Sequence, residues 1–213
     1  MQIGFFEFFM NRKDQVLDLT IQHLQITGTA VFFAILVGVP LGILITRYKK
    51  LANPILGVAN IFQTLPSLAL FGLIIPVMGI GRPPAIFVLF LYALLPIIKN
   101  TYTGINNVDP AVIEAGKGMG MTNIQILRMV KLPLALSVIM AGIRIATVIN
   151  IGTTTIAALI GAGGLGDLIF RGISMNSPYL ILSGAVPAAV LALLVDWLLG
   201  IVERLLTPKG LKS

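Results

Sequence analysis

Charged residues in this chain are gathered between long stretches that carry none. Ile26–Ile45 (ITGTAVFFAILVGVPLGILI) is uncharged and is closed by Arg47, Lys49 and Lys50. Ile55–Ile80 is uncharged throughout and contains Pro66 and Pro76. Pro83–Ile98 lies between Arg82 and Lys99, Leu134–Ile160 is interrupted only by Arg144, and Tyr179–Leu199 holds Asp196 and Trp197 near its end. A helix needs roughly 20 mostly apolar residues to cross a hydrocarbon core about 30 Å thick, so the pattern predicts five spanning helices. The third is short and would need its flanking bases to snorkel. Dividing the long second stretch would leave passes of about 15 residues, too short at a rise of about 1.5 Å per residue. It is therefore expected to be one tilted or kinked helix, its prolines tolerated because neighbouring helices satisfy the freed carbonyls.

Composition supports an all-α membrane protein. The chain has 213 residues, 57% hydrophobic and only 11% charged, with a mean hydropathy of +0.98, whereas a soluble domain carries about a quarter of its residues as charged. The net charge of +7 would suggest a nucleic-acid partner on a soluble protein; here the positions of the bases matter more, and no nucleic-acid partner is expected. Cysteine is absent, so disulfides, zinc–thiolate sites and thiol chemistry are unavailable.

Five spans place the termini on opposite sides, and the Lys and Arg of the short loops decide which. Arg47, Lys49, Lys50, Lys99, Lys117, Arg128, Lys131, Arg204, Lys209 and Lys212 share one face. Arg12, Lys13, Arg82 and Arg171 share the other, and Arg144 lies in the membrane. Ten against four predicts a cytoplasmic C-terminus and an outside N-terminus. Residues 1–18 lack the positive leader and apolar core of a signal peptide; Phe5, Phe6, Phe8 and Phe9 suggest a short interfacial segment. The expected organisation is an outer N-terminal segment (1–22), a membrane domain (23–203) with a cytoplasmic loop at 100–132, and a cytoplasmic tail (204–213).

Two nucleotide-like patterns fail on context. Gly161, Gly163 and Gly166 in ALIGAGGLGDLIF match G-x-G-x-x-G, but that motif works in a strand-to-helix turn, with an acid about 20 residues on for the ribose. The residue there is Val186, and no alternation of strands and helices surrounds the site. Small residues allowing close helix packing or an irregular buried turn are the simpler account. Gly116-Lys117 resembles the end of a phosphate loop, but the pattern needs Gly at 111 and Ser or Thr at 118, and the chain has Ala111 and Gly118.

Polar residues concentrate in the loop Asn100–Leu132. Asp109-Pro110 reads as an N-cap and first-turn proline, opening a helix to about Met119 that Gly120 stops. Thr122 and Gln125 make a capping box for a second short helix, Asn123–Val130, before Lys131-Leu132-Pro133 leads into the fourth span. Met119, Met121, Ile124, Ile126, Leu127 and Met129 give the loop apolar surface suited to docking another protein.

Glu114-Ala115-Gly116, then Gly120, then Val130-x-Leu132-Pro133 resembles the EAA loop of ABC importer permeases, E-A-A, three residues, G, nine residues, I-x-L-P. All spacings hold, with Gly116 replacing the second Ala and Val130 the Ile; the first change loosens the helix by up to about 1 kcal/mol. The resemblance continues from about His23 onward: Gln63–Pro76, Leu91–Ile105 and Ala141–Gly166 look like permease subunits of the osmoprotectant importers for glycine betaine, carnitine and choline. It implies a methionine-importer-like (type I) ABC permease fold in a bacterial plasma membrane and a pore built from two copies, or from this chain and a paralogue. It further implies two cytoplasmic ATPase subunits that bind the ATP, with Glu114, Ala115, Gly116, Gly120, Leu132 and Pro133 coupling to them, and an extracellular substrate-binding protein. A methionine-type or other small-solute importer is the alternative, since the glycine run also resembles methionine importer permeases.

A path for a small quaternary amine needs mildly polar groups, since strong charges would trap the cation. The candidates are Gln63, Thr64, Ser67, Asn150, Thr153, Thr154 and Thr155, with Tyr92 and Tyr102 as weak cation–π surface. Arg144, about 18 Å beyond Leu132 along a helix, must face protein or water. Asp196, the acid within a span, is its expected partner, the alternative being helix-end carbonyls. His23, with no second ligand, reads as interfacial. A membrane enzyme would need a nucleophile, metal cluster or paired carboxylates at one depth, and a self-sufficient channel or carrier would be expected to show repeats or matching broken helices; neither pattern is present.

Overall fold

The computed structural model describes residues 4–207; Lys209, Lys212 and most of the expected tail lie outside the described residues. The elements are α1 (Phe5–Met10), α2 (Lys13–Arg47), α3 (Ala52–Thr64, after a 3-10 turn at Lys49–Leu51), α4 (Ser67–Met78), α5 (Arg82–Asn106), α6 (Pro110–Gly118), α7 (Asn123–Gln125), α8 (Leu132–Ala157), α9 (Gly166–Ser174) and α10 (Pro178–Leu206).

Four helical stretches are long and apolar enough to cross a membrane: α2, α5, the run Asn123–Ile160 that contains α8, and α10. The second sequence stretch is not the single tilted or kinked helix expected of it. It is two helices, Lys49–Thr64 and Ser67–Met78, bent by 99° at the break. Leu65 is extended and Pro66 caps the next helix. Proline clashes with a helical conformation at the residue before it, and the Tyr92 hydroxyl on α5 donates to the Leu65 carbonyl that the break frees.

The contacts show that this broken pair still crosses once. Near its end α2 packs on the later part of α5, where a Cβ on Gly42 would lie 2.5 Å from the Thr101 Cβ. α3 packs there too, in a cluster with Ile45, Ile98 and Tyr102. α5 begins at the opposite end, where Gly81 N–H donates to Ile160 O at 2.7 Å. There Leu70 and Phe71 of α4 join Ala85, Val88 and Ile160 in a second cluster. The chain thus leaves α2 at one end of the bundle and enters α5 at the other, which makes five crossings. The end holding α6 is called here the loop end, and the end holding Gly161–Gly166 the glycine end.

Three further expectations change. The third span is not short: α5 has 25 residues, about 37 Å at the standard rise, and it carries Lys99 and Asn100 within the helix, so the connection at the loop end is shorter than 100–132. No separate second loop helix exists. α7 runs through a π-helical turn at Ile126–Lys131 directly into α8. Pro133 has no N–H and crowds the carbonyl one turn back, and the wider π turn just before it accommodates both. The N-terminal boundary near residue 22 also disappears, since α2 begins at Lys13 and continues unbroken to Arg47. α1 lies across the glycine end with Phe5 and Phe8 against Tyr179, ring centroids 5.9 and 5.7 Å apart.

Candidate functional site

At the loop end, α6 is defined at both termini by side chains the sequence supplies. Asp109 Oδ1 accepts the Ala111 N–H at 2.8 Å, and Pro110 occupies the first helical position. At the other terminus Gly120 adopts φ +80°. Its N–H donates to Lys117 O at 2.9 Å and that of Met121 to Gly116 O at 3.1 Å, the paired bonds of a Schellman stop. The capping box follows: Thr122 N–H donates to Gln125 Oε1 at 2.8 Å and Gln125 N–H to Thr122 Oγ1 at 3.3 Å.

The helix has two unlike faces. Ala111, Glu114, Ala115 and Gly118 are exposed together, the i, i+3, i+4, i+7 set of one side. Gly116 is buried on the other side, where a Cβ would meet the Met121 sulfur at 3.3 Å. The apolar loop residues divide in the same way. Met119, Ile124 and Met129 are exposed, but Ile126 is 3% exposed and Leu127 packs into the bundle core, so only part of the expected docking surface is available. Leu132 and Pro133 are half-buried where the π turn joins α8.

Within the spans, Arg144 on α8 makes a two-pronged ion pair with α10. Its Nε and Nη2 donate to Asp196 Oδ1 and Oδ2, both at 2.9 Å, and Nη1 donates to Glu203 Oε2 at 3.0 Å. Gly200 lies between the two acids on the same helix face, where even a Cβ would stay 3.6 Å from the guanidinium carbon. Glu203 as a second partner was missed from sequence. The available signal was the seven-residue spacing from Asp196, two helical turns on one face.

The remaining polar candidates separate by burial. Asn150 and Thr154 are fully buried between helices: Asn150 Nδ2 donates to Leu89 O at 3.0 Å, and Thr154 Oγ1 donates to Asn150 O at 2.7 Å and pairs with Thr27 Oγ1 at 2.8 Å. Thr153 and Thr155 keep accessible surface and bond their own helix at Ile149 O and Gly152 O. Gln63, Thr64 and Ser67 flank the 99° break, all at least partly exposed, with Thr64 Oγ1 on Ile61 O at 2.9 Å. Tyr92 and Tyr102 are packed, 7% exposed in the first case and against Ile98 in the second.

His23 is not interfacial. It is fully buried, its Nε2 donating to Ile151 O at 2.9 Å and its Nδ1 accepting the Leu165 N–H at 3.4 Å. One tautomer satisfies both bonds, which tie α2 to α8 and to the glycine turn. That turn needs its composition: Gly161, Gly163 and Gly164 have positive φ, and a Cβ on Gly166 would strike the Thr155 carbonyl.

The chain matches the family described as binding-protein-dependent transport system inner membrane component over residues 38–208. It is 48% identical to the choline transport system permease protein OpuBB of Bacillus subtilis (strain 168), across 97% of this chain and 95% of that protein. Identity is 51% to the carnitine transport permease protein OpuCB of Listeria monocytogenes, across 97% and 94%. To the osmoprotectant import permease protein OsmW of Salmonella typhimurium it is 48%, across 96% and 98%. Among solved structures, an inward-facing conformation of the MetNI methionine ABC transporter superposes with a TM-score of 0.81 at 26% identity, covering 91% of this chain and 96% of that one. An amino acid ABC transporter shares the fold, with a TM-score of 0.79 at 20% identity across 96% and 99%. With a family match over most of its length and relatives near one-half identity across nearly all of it, this chain belongs to the inner membrane components of binding-protein-dependent transport systems, the permeases of ABC importers, and is a transport subunit rather than an enzyme.

Proposed function

We propose that this chain is the pore-forming subunit of an importer for osmoprotectants of the quaternary-ammonium class, such as glycine betaine, carnitine or choline. In this reading two permease subunits, either copies or paralogues, enclose the path; two cytoplasmic ATPases dock on α6, and a substrate-binding protein delivers solute outside. The C-terminus is cytoplasmic and the N-terminus outside.

The observation that carries the coupling role is α6 itself. Both ends are fixed by caps, Gly116 is buried on one side and Glu114 and Ala115 are presented to solvent on the other. The helix joins through the π turn to α8, so a push on the exposed face is transmitted into a span. ATP-driven closure of the ATPase pair would draw two such helices together and open the path outward, and hydrolysis would return it to release solute inside. Along the path, Gln63, Thr64, Ser67, Thr153 and Thr155 offer accessible mild polarity, while Asn150 and Thr154 hold the helices they join. Relatives carrying choline, carnitine and osmoprotectant names support the substrate class.

The test is purification of the tagged chain from its host in gentle detergent, with identification of what accompanies it, and uptake of labelled glycine betaine, carnitine, choline and methionine. An ATPase recovered with the wild type and lost with Glu114→Arg or Gly120→Pro, with uptake of a quaternary amine, supports both parts. Uptake of methionine alone would move the chain to the methionine-type importers, and unchanged coupled uptake in both variants would remove α6 from the coupling role.

A further inference from the structure

At the loop end a cavity of about 640 Å³ opens between the last turns of α2 and the segment from α6 to the π turn. Its wall is aliphatic, with Ile43, Leu44, Ile124 and Leu127 among the lining residues, and three cations stand around it: Arg47, Lys117 and Lys131. No Asp or Glu lines it, and among the described residues none of the three cations has an acid within 4 Å. Three like charges around one cavity repel unless something negative joins them.

The cavity also sits at a defined depth. Arg47 ends a spanning helix, and Lys131 is the last residue before Leu132 begins the long α8 span. Both mark the boundary where hydrocarbon gives way to the headgroup layer. An anion alone would answer the charges and leave the aliphatic wall wet; an apolar chain alone would leave the cations unpaired. An amphiphile with a negative head satisfies both, and a bilayer supplies one: basic pockets between membrane helices suit anionic lipid headgroups.

We propose that this cleft holds one acidic phospholipid, its phosphate among Arg47, Lys117 and Lys131 and the upper part of an acyl chain against Ile43, Leu44, Ile124 and Leu127. The lipid thereby ties the end of α2 to Ile113 and Lys117 of α6. The proposal needs only the membrane placement of the chain and stands apart from the coupling role assigned to α6.

This chain contains no cysteine, so an introduced cysteine is its sole thiol, and the same labelling of the unsubstituted complex gives the background from partner subunits. An environment-sensitive fluorophore is attached at Ile124→Cys in the complex as purified, which is then titrated with short-chain phosphatidylglycerol, short-chain phosphatidylcholine and inorganic phosphate. The expected result is a saturable response to phosphatidylglycerol alone. Each of Arg47→Gln, Lys117→Gln and Lys131→Gln should weaken it roughly fivefold, the equivalent of about 1 kcal/mol per cation near a membrane surface. The pair Arg47→Gln/Lys131→Gln lies off α6 and keeps the test independent of ATPase docking, and native mass spectrometry of the unlabelled complex should show a retained acidic lipid that this pair loses. Equal responses to both lipids would make the cleft an ordinary lipid-facing surface. Saturation by phosphate alone would make it a free-anion site. A probe silent to all three and shielded only when an ATPase is bound would assign the cleft to the ATPase interface. Each of these outcomes overturns the proposal.

Discussion

Arg144 is 32% exposed within this single chain, yet it lies within a span, and a guanidinium there cannot face lipid at low cost. The side of α8 and α10 that carries it must therefore look onto water, the transport path or another subunit. Its two acids are held on one face of α10 by their seven-residue spacing, so the network carries one positive and two negative charges. Replacing Arg144 by Met leaves both carboxylates without their cation. With the Asp196 and Glu203 side chains 38% and 21% exposed, solvent screens much of their repulsion and the loss is about 1 kcal/mol. Arg144→Met is expected to melt several degrees below wild type in detergent, and adding Asp196→Asn with Glu203→Gln should recover much of the loss; an unchanged melting temperature in the single variant would show that the network carries no stability. Gly142 tests packing at the same scale. A Cβ there would lie 2.5 Å from the Asn100 Cβ and 2.8 Å from Pro96 O, and a backbone carbonyl in a packed helix has little room to move. Gly142→Ala should cost about 1–3 kcal/mol by overpacking, read as a lower melting temperature with α5 and α8 forced apart.

At the scale of the element, α6 is too short to persist by propensity alone, so its caps should dominate its behaviour. Asp109→Ala removes the Ala111 bond and should loosen the helix by about 0.5–2 kcal/mol. Gly120→Ala forces a side chain into a left-handed conformation at about 1–2 kcal/mol. Both are expected to reduce recovery of the proposed ATPase while leaving the melting of the spans unchanged. Gly116→Ala should act in the opposite sense, because the nearest obstacle is the end of the flexible Met121 side chain at 3.3 Å and the gain in helix propensity approaches 1 kcal/mol; a fall in ATPase recovery would show that Met121 cannot yield. These caps were legible in the sequence because each is a local rule read within four residues: Asp109 before Pro110, Thr122 three before Gln125, a glycine where the helix must stop. The spans were legible because a bilayer demands long apolar runs. The 99° break was not, since the prolines in Ile55–Ile80 are compatible with either a kink or a rupture, and the group that receives the freed Leu65 carbonyl, the Tyr92 hydroxyl, is 27 residues away. His23 was misplaced for a related reason: its partners Ile151 O and Leu165 N–H are more than 120 residues distant, and only the folded chain brings them to it.

For the whole molecule the contacts determine which ends share a side, whereas which side is inside is predicted from the bases. Gly81 bonded to Ile160, and His23 to Leu165, put the start of α5, the end of the α8 run and the glycine turn together. The cavity shared by Arg47 and Lys131 puts the end of α2 beside the loop helices. Every basic residue of the majority group within the described chain then falls at or near the loop end, and the positive-inside rule predicts that this end is cytoplasmic. Single cysteines introduced into this cysteine-free chain test the assignment in intact cells with a membrane-impermeant maleimide. Ser174→Cys, exposed after the glycine turn, should label from outside, and Thr122→Cys and Thr207→Cys only after permeabilisation. The reverse pattern would invert the molecule and with it the side on which an ATPase could dock. Labelling of Ser174→Cys and Thr122→Cys from the same side would mean that the run from Asn123 to Ile160 does not cross, which would remove the membrane argument for Arg144 and its ion network.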